Sequence, residues 1–268
     1  MKRRHFLTTV AALSATPTLS VVSNAEEKIR SAREYIQLAT FFASDETACG
    51  KLVERLDTIL IPALNQQGFA KVGVLSLRHD LHANDSRFPE KYRHAVLVVF
   101  SSPTFDKLEN LHEQLHATDF PAEPILPDLD RPLYDDQQNT LLRAFPGCPT
   151  LEVPTLSPQR VLQLRCYASP NANRNRSKRD MFDVRGELSL FRRCGMAPVF
   201  FGETLLGGMM APSLHYMLSF ENDDARRAGW QKFVSSDEWK KMRDEPEFHH
   251  TATRIINLFL KPSPHSQI

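Results

Sequence analysis

The 268-residue chain is 41% hydrophobic and 24% charged, a mix that fits globular packing and excludes fibrous and disordered classes. Its 33 basic and 32 acidic residues nearly cancel, so the positive excess of a duplex-binding surface is missing and no nucleic-acid partner is expected. No run reaches the roughly 18 apolar residues of a membrane span, and the length suffices for two domains with cores of their own.

Residues 1–25 read as an export leader. Lys2-Arg3-Arg4 is basic, Phe6 to Val22 is mildly apolar, and Ser23-Asn24-Ala25 offers small residues to a signal peptidase. Arg3-Arg4-His5-Phe6-Leu7 resembles the twin-arginine export pattern, with Thr8 where that pattern often has lysine. A periplasmic or otherwise exported, bacterial-type protein is expected. Cleavage after Ala25 would take the net charge from +1 to −2. The four cysteines, Cys49, Cys148, Cys166 and Cys194, are too few for a disulfide framework in a chain this long. Cys166 is expected as a buried free thiol, and Cys166–Cys194 is the one bridge worth testing.

In chain order, Glu34 to Ala43 alternates as a strand, and Ser44 or Asp45 can cap a helix carrying Leu52, Leu56, Ile59 and Leu60 on one face. Pro62 should kink or restart that helix, and Gly68 should end it. Val72–Leu77 and Ala95–Phe100 read as strands, and Thr104–His116 as a helix. Eight of the 18 prolines fall between Pro121 and Pro158, which excludes long regular elements there. Leu126, Leu129, Leu133 and Leu151 argue that residues 121–160 form an ordered connector, with a short amphipathic helix over Asp135–Phe145.

The alternation of Ile36 to Phe41 returns about 126 residues later in Leu162 to Tyr167. A helix over Lys178–Cys194 follows, then strands Pro198–Thr204 and His215–Phe220. A two-piece helix over Asp223–Asp244, divided near Ser235-Ser236-Asp237, leads to a last strand, Arg254–Leu260. Each half thus reads strand–helix–strand–strand–helix–strand, an α+β, ferredoxin-like order with both helices on one sheet face. One copy would leave its other face bare. The two tandem copies, residues 33–120 and 161–262, are therefore expected to pack sheet to sheet as an internal pseudo-dimer.

Leu164-Arg165-Cys166-Tyr167, then Pro198-Val199-Phe200-Phe201-Gly202-Glu203, then Trp230 to Phe233 with Asp237-Glu238-Trp239-Lys240, resemble the NIPSNAP family. The family's usual opening is Glu-Leu-Arg-Thr-Tyr; here Gln163 replaces the glutamate and Cys166 the threonine. The resemblance covers about Val161 to Pro262, with residues 33–120 as a degenerate copy. It implies the dimeric α/β-barrel fold and no particular reaction.

Several constellations could carry chemistry. His112-Glu113-Gln114-Leu115-His116 matches His-Glu-x-x-His, which puts two imidazoles one helical turn apart beside a water-activating glutamate. No third ligand follows at a metzincin-like spacing, so His112 and His116 are weak zinc candidates and an amphipathic helix surface is expected. His79, Asp80, His82 and Asp85 read as a solvated loop, His249-His250 lacks a third ligand, and Arg174, Arg176, Lys178 and Arg179 read as a solvated helix face. In the strand at Leu162, alternation separates Leu162, Leu164 and Cys166 from Gln163, Arg165 and Tyr167. The first set is assigned to the helices and the second to the seam between sheets. Arg165 is expected to pair there with Glu203, with His215 or Tyr216 adding a polar group. The candidate inter-sheet site is therefore Gln163, Arg165, Tyr167, Glu203, His215 and Tyr216. The first functional reading is a non-catalytic binding or interaction protein for an unknown small molecule or protein, with no cofactor and a possible homo-oligomeric state. The second is a monooxygenase- or isomerase-like enzyme using the inter-sheet pocket, and the third is a zinc hydrolase at His112 and His116.

Overall fold

The computed structural model describes residues 33–82, 88–115, 133–208 and 210–268. The leader, Asp85, His116 and connector residues 121–132 lie outside the described residues. So do the side chains of His112 and Glu113.

The first half opens with β1 (Tyr35–Phe42). Asp45 caps α1 (Glu46–Arg55) by accepting the Ala48 N–H at 2.8 Å. Pro62 has no amide hydrogen, and its ring crowds the carbonyl one turn back. The helix responds by widening: Leu56–Leu60 form a π turn, with Ile61 N–H on Leu56 O, before α2 (Ile61–Gln66). Then come β2 (Gly73–Leu77), the short α3 (His79–His82), β3 (Ala95–Ser102) and α4 (Phe105–Leu115). The helix expected over Asp135–Phe145 is instead a strand, β4 (Asp136–Ala144). Its buried residues alternate, Thr140, Leu142 and Ala144, and it hydrogen-bonds to β1 along its whole length. Tertiary pairing overrides a weak helical pattern here, because β1 needs a second neighbour for its free backbone groups.

The second half repeats the order with β5 (Val161–Ala168), α5 (Ala172–Asp183), α6 (Glu187–Arg193), β6 (Ala197–Gly207), β7 (Ser213–Phe220), α7 (Asp223–Ser235), α8 (Asp237–Arg243) and β8 (Arg254–Pro262). The single helix expected over Lys178–Cys194 is two. Asn171 caps an earlier start by accepting the Arg174 N–H, and Gly186, at φ +89°, breaks the run before α6. The break expected near Ser236 is present, and Ser236 caps α8 by accepting the Trp239 N–H.

All strand pairs are antiparallel, and the sheet closes in the order β1-β3-β2-β8-β5-β7-β6-β4. Each half contributes the ferredoxin-like set, and the halves join at two seams. At one, Leu77 of β2 lies opposite Leu260 of β8; at the other, Ala144 of β4 lies opposite Gly202 of β6. The expected pseudo-dimeric barrel is thus one closed eight-stranded sheet, which leaves no edge strand to mismatch.

Inward residues of all eight strands, among them Ile36, Leu75, Val99, Leu142, Leu162, Phe200, Met217 and Leu260, form one apolar cluster. Separate clusters join the outer sheet face to α1, α2 and α4 in the first half and to α5, α6 and α7 in the second. One barrel end is plugged by Ile268, whose carbonyl oxygen accepts from Arg160 Nε and Nη2 at 3.1 and 2.7 Å. Gly73 makes that plug possible: a Cβ there would stand 2.3 Å from Ile268 Cδ1.

Candidate binding cavity inside the barrel

The phase of β5 is the reverse of the sequence expectation. Leu162 and Leu164 belong to the barrel interior and Cys166 lines its cavity, while Tyr167 packs with Phe182 and Phe191 under the helices. A closed barrel interior tolerates less polarity than the helix–sheet layer, so the more apolar face turns inward. Gln163, Arg165 and Tyr167 therefore do not face the other half. Gln163 accepts the Trp230 Nε1–H at 2.7 Å and donates to Asn257 Oδ1 at 2.7 Å. Arg165 places its guanidinium 5.2 Å from the Tyr167 ring and 5.1 Å from that of Trp230. The expected Arg165–Glu203 pair is absent, because Glu203 accepts from Arg33 at 3.1 Å and from Arg179. Tyr216 is on the helix side too, its hydroxyl 3.3 Å from that of Tyr167. Of the six inter-sheet candidates, only His215 points into the barrel.

The basic run at α5 is used internally. Lys178 forms a buried pair with Glu187 at 3.3 Å, Arg179 binds Glu203, and Arg174 donates to the Glu247 and His249 carbonyls. Burial raises the Glu187 carboxyl against the opposing charge of Lys178. His82 accepts the Phe259 N–H at 2.9 Å, a structural bond that fixes α3 to β8. No group of three His, Cys, Asp or Glu side chains is placed to hold a metal among the described residues. All four cysteines are free, and Cys166 and Cys194 lie on opposite sides of the sheet, so they form no bridge.

Opposite the Ile268 plug, the barrel holds a cavity of about 130 Å³. Leu38, Leu97, Leu164, Ile256 and Leu258 form its apolar wall, and Thr40, Gln138, Thr140, Cys166 and His215 are its polar groups. Pro89, Lys91, Gly208 and Arg254 lie toward the opening, and the buried Tyr92 and Met210, the latter from the β6–β7 loop, complete the wall. Cys166 and His215 are cross-strand partners on β5 and β7, and their Sγ and Nε2 are 2.8 Å apart. His215 Nδ1 lies 3.2 Å from Thr204 Oγ1, which is 2.8 Å from Ser213 Oγ. Burial pushes the Cys166 thiol up to about 12 and pulls His215 down to about 4. Tyr92 is likewise raised to about 12 by burial, and Lys91 is lowered by burial, against the nearby Asp136 carboxylate and with a smaller push from Arg254. Sequence reading missed Lys91, Thr204, Met210 and Arg254. The correct inward phase of β5 would have led to the first layer of this set, but loop residues carry no periodic signal.

A closed antiparallel barrel with paired helices outside each half and a small cavity within defines a protein of the α/β-barrel class built from ferredoxin-like units. Residues 161–267 match the model of the NIPSNAP family. No curated protein matches the chain. Among solved structures, a protein from Lactobacillus acidophilus NCFM provisionally named a monooxygenase is similar at 11% identity. That alignment covers 86% of this chain and 94% of the other, with a TM-score of 0.52. An anthrone oxidase-like protein aligns at 10% identity over 86% of this chain and 92% of its own, with a TM-score of 0.55. An uncharacterized NIPSNAP-like domain protein from Burkholderia xenovorans aligns at 17% identity over 41% of this chain and 90% of its own, with a TM-score of 0.36. Identities of 10 and 11% carry the fold and nothing of the chemistry. No helix among the described residues is long and apolar enough to cross a membrane.

Proposed function

We propose that the protein is a non-catalytic binding protein whose barrel cavity takes a small acid with an apolar body of about one ring. The carrying observation is the cavity itself: about 130 Å³, apolar-walled, with Lys91 and Arg254 at its opening and no Asp or Glu among its described lining residues. An engineered apolar cavity of about 150 Å³ accepts benzene, which sets the size class. Asp136 offsets part of the Lys91 charge, yet Arg254 still opposes it, and an anionic group between the two cations would be attracted by both. Binding is favoured over acid–base catalysis because both His215 ring nitrogens are already engaged and no carboxylate lines the cavity among the described residues. The enzyme reading draws on the oxygenase-type names of two fold neighbours and on the ring-sized space. Export through the leader of residues 1–25 is part of the same proposal, checked by the N-terminus of the protein recovered from a periplasmic fraction.

Calorimetric titration with sodium benzoate, and with benzyl alcohol as its uncharged counterpart, tests this reading. Benzoate should bind at one site, and Lys91→Ala and Arg254→Ala should each weaken it by about 3- to 10-fold, as partly screened charge contacts do. Equal binding of the alcohol, no binding by benzoate, or consumption of a bound ring acid in the presence of oxygen would each overturn it.

A further inference from the structure

We propose that Cys166, His215 and Met210 together form a site for a soft monovalent metal ion of the copper(I) class at the inner wall of the barrel cavity. Three donors of the types that select such ions converge there: a thiol, a thioether and an imidazole nitrogen. All three residues are buried. Cys166 Sγ lies 3.9 Å from Met210 Sδ and 2.8 Å from His215 Nε2. With metal–sulfur bonds of about 2.3 Å, trigonal coordination requires a sulfur–sulfur separation of about 4.0 Å, so the two sulfurs already stand at the required span. The sulfur–nitrogen distance must open to about 3.7 Å when the ion replaces the thiol proton between them. The adjacent cavity supplies the room for that movement.

The second observation is the bond behind the imidazole. Histidines that ligate metals almost always donate their other ring N–H to a fixed acceptor, which sets the tautomer and aims the free lone pair. His215 has the matching geometry: Nδ1 lies 3.2 Å from Thr204 Oγ1, itself bonded to Ser213, and Nε2 is directed at Cys166 Sγ 2.8 Å away. Charge then selects the ion. A thiolate with a monovalent cation is neutral overall, whereas a divalent ion would leave a net positive charge buried among Leu38, Leu164 and Ile256 with no carboxylate among the described lining residues. Zinc also favours four ligands, and this wall offers three. The step is Cys–SH + Cu⁺ → Cys–S–Cu + H⁺; the proton passes to solvent and no electron changes hands.

The test is anaerobic competition of the full chain with the copper(I) chelator bicinchoninate. One equivalent should transfer to the protein. Cys166→Ser and His215→Gln should lose at least about 100-fold in affinity, and Met210→Leu and Thr204→Val about 10-fold, in the range seen when ligand-orienting partners are removed. Cys194→Ser should bind as the unaltered protein does, and zinc should bind at least about 100-fold more weakly than copper(I). X-ray absorption of the copper-loaded, unaltered protein should find two sulfurs and one imidazole nitrogen, which guards against variants that fail to fold. Retention of copper by the chelator, undiminished binding by Cys166→Ser, a sulfur-only shell, or tighter zinc binding would overturn the proposal.

Discussion

Single residues in this barrel act according to the layer they occupy. Lys178 and Glu187 form an ion pair with almost no solvent contact, their side chains 8 and 4% exposed. Removing one partner leaves the other charge buried, so Glu187→Ala should lower unfolding stability by about 3–5 kcal/mol, while Lys178→Met/Glu187→Met should restore most of it. Urea titration measures both. The raised carboxyl of Glu187 also fixes a sign. Its protonation favours the folded state, so its contribution is complete below the unfolded carboxyl value and is lost as pH rises through the raised folded value. The double variant should lack that slope. The thiols give a second residue-scale expectation. Cys148 and Cys166 are both held near 12 by burial, whereas Cys49 is half-exposed and raised less. Thiol reagent at pH 8 should label Cys49 first and require denaturant for Cys148 and Cys166, as mass mapping would show. Residue types on β5 were legible in the sequence, but their direction was not. By alternation Arg165 is assigned to the seam, because the apolar set Leu162, Leu164 and Cys166 is assigned to the helices, leaving the alternate residues for the other face. It is accommodated by the flat faces of Tyr167 and Trp230, which no local pattern announces.

Elements show where sequence signals were strong and where tertiary structure decided. Helices with side-chain caps at Asp45, Asn222 and Ser236, and strands with clean alternation such as β1 and β5, were readable because the determinants are local. β4 was not, since its strand state depends on β1 and β6, more than 60 residues away on one side. The π turn at Leu56–Leu60 is a compromise with Pro62, and it presents Asp57 inward to accept from Ser263 Oγ, His265 N–H and His265 Nδ1. That carboxylate fastens the segment after β8 to the first half. Asp57→Ala should therefore cost about 2–3 kcal/mol, and hydrogen exchange should quicken over residues 263–268 while β5 stays protected.

For the whole molecule, closure makes the halves one cooperative unit, since a single inner cluster draws on all eight strands. Both tryptophans, Trp230 and Trp239, lie in the second half. Urea unfolding followed by their fluorescence should coincide with that followed by far-ultraviolet dichroism, which reports both halves. A separate dichroism step silent in fluorescence would show that the halves melt apart. The architecture was legible because a repeated order of elements has few ways to cover two bare sheets, whereas the cavity depends on which wall residues happen to be short or polar. Fusion of the halves bears on those residues in particular. Thr40 and Cys166 are each the sixth residue of an eight-residue strand, and Leu97 and His215 each the third of one; Thr40 lies opposite Leu97 as Cys166 lies opposite His215. In an assembly of two identical chains, any substitution near the twofold axis would appear on both walls at once. A single covalent chain is released from that constraint, so one wall can stay inert while the other diverges. The interior is lopsided, and it can evolve one side at a time.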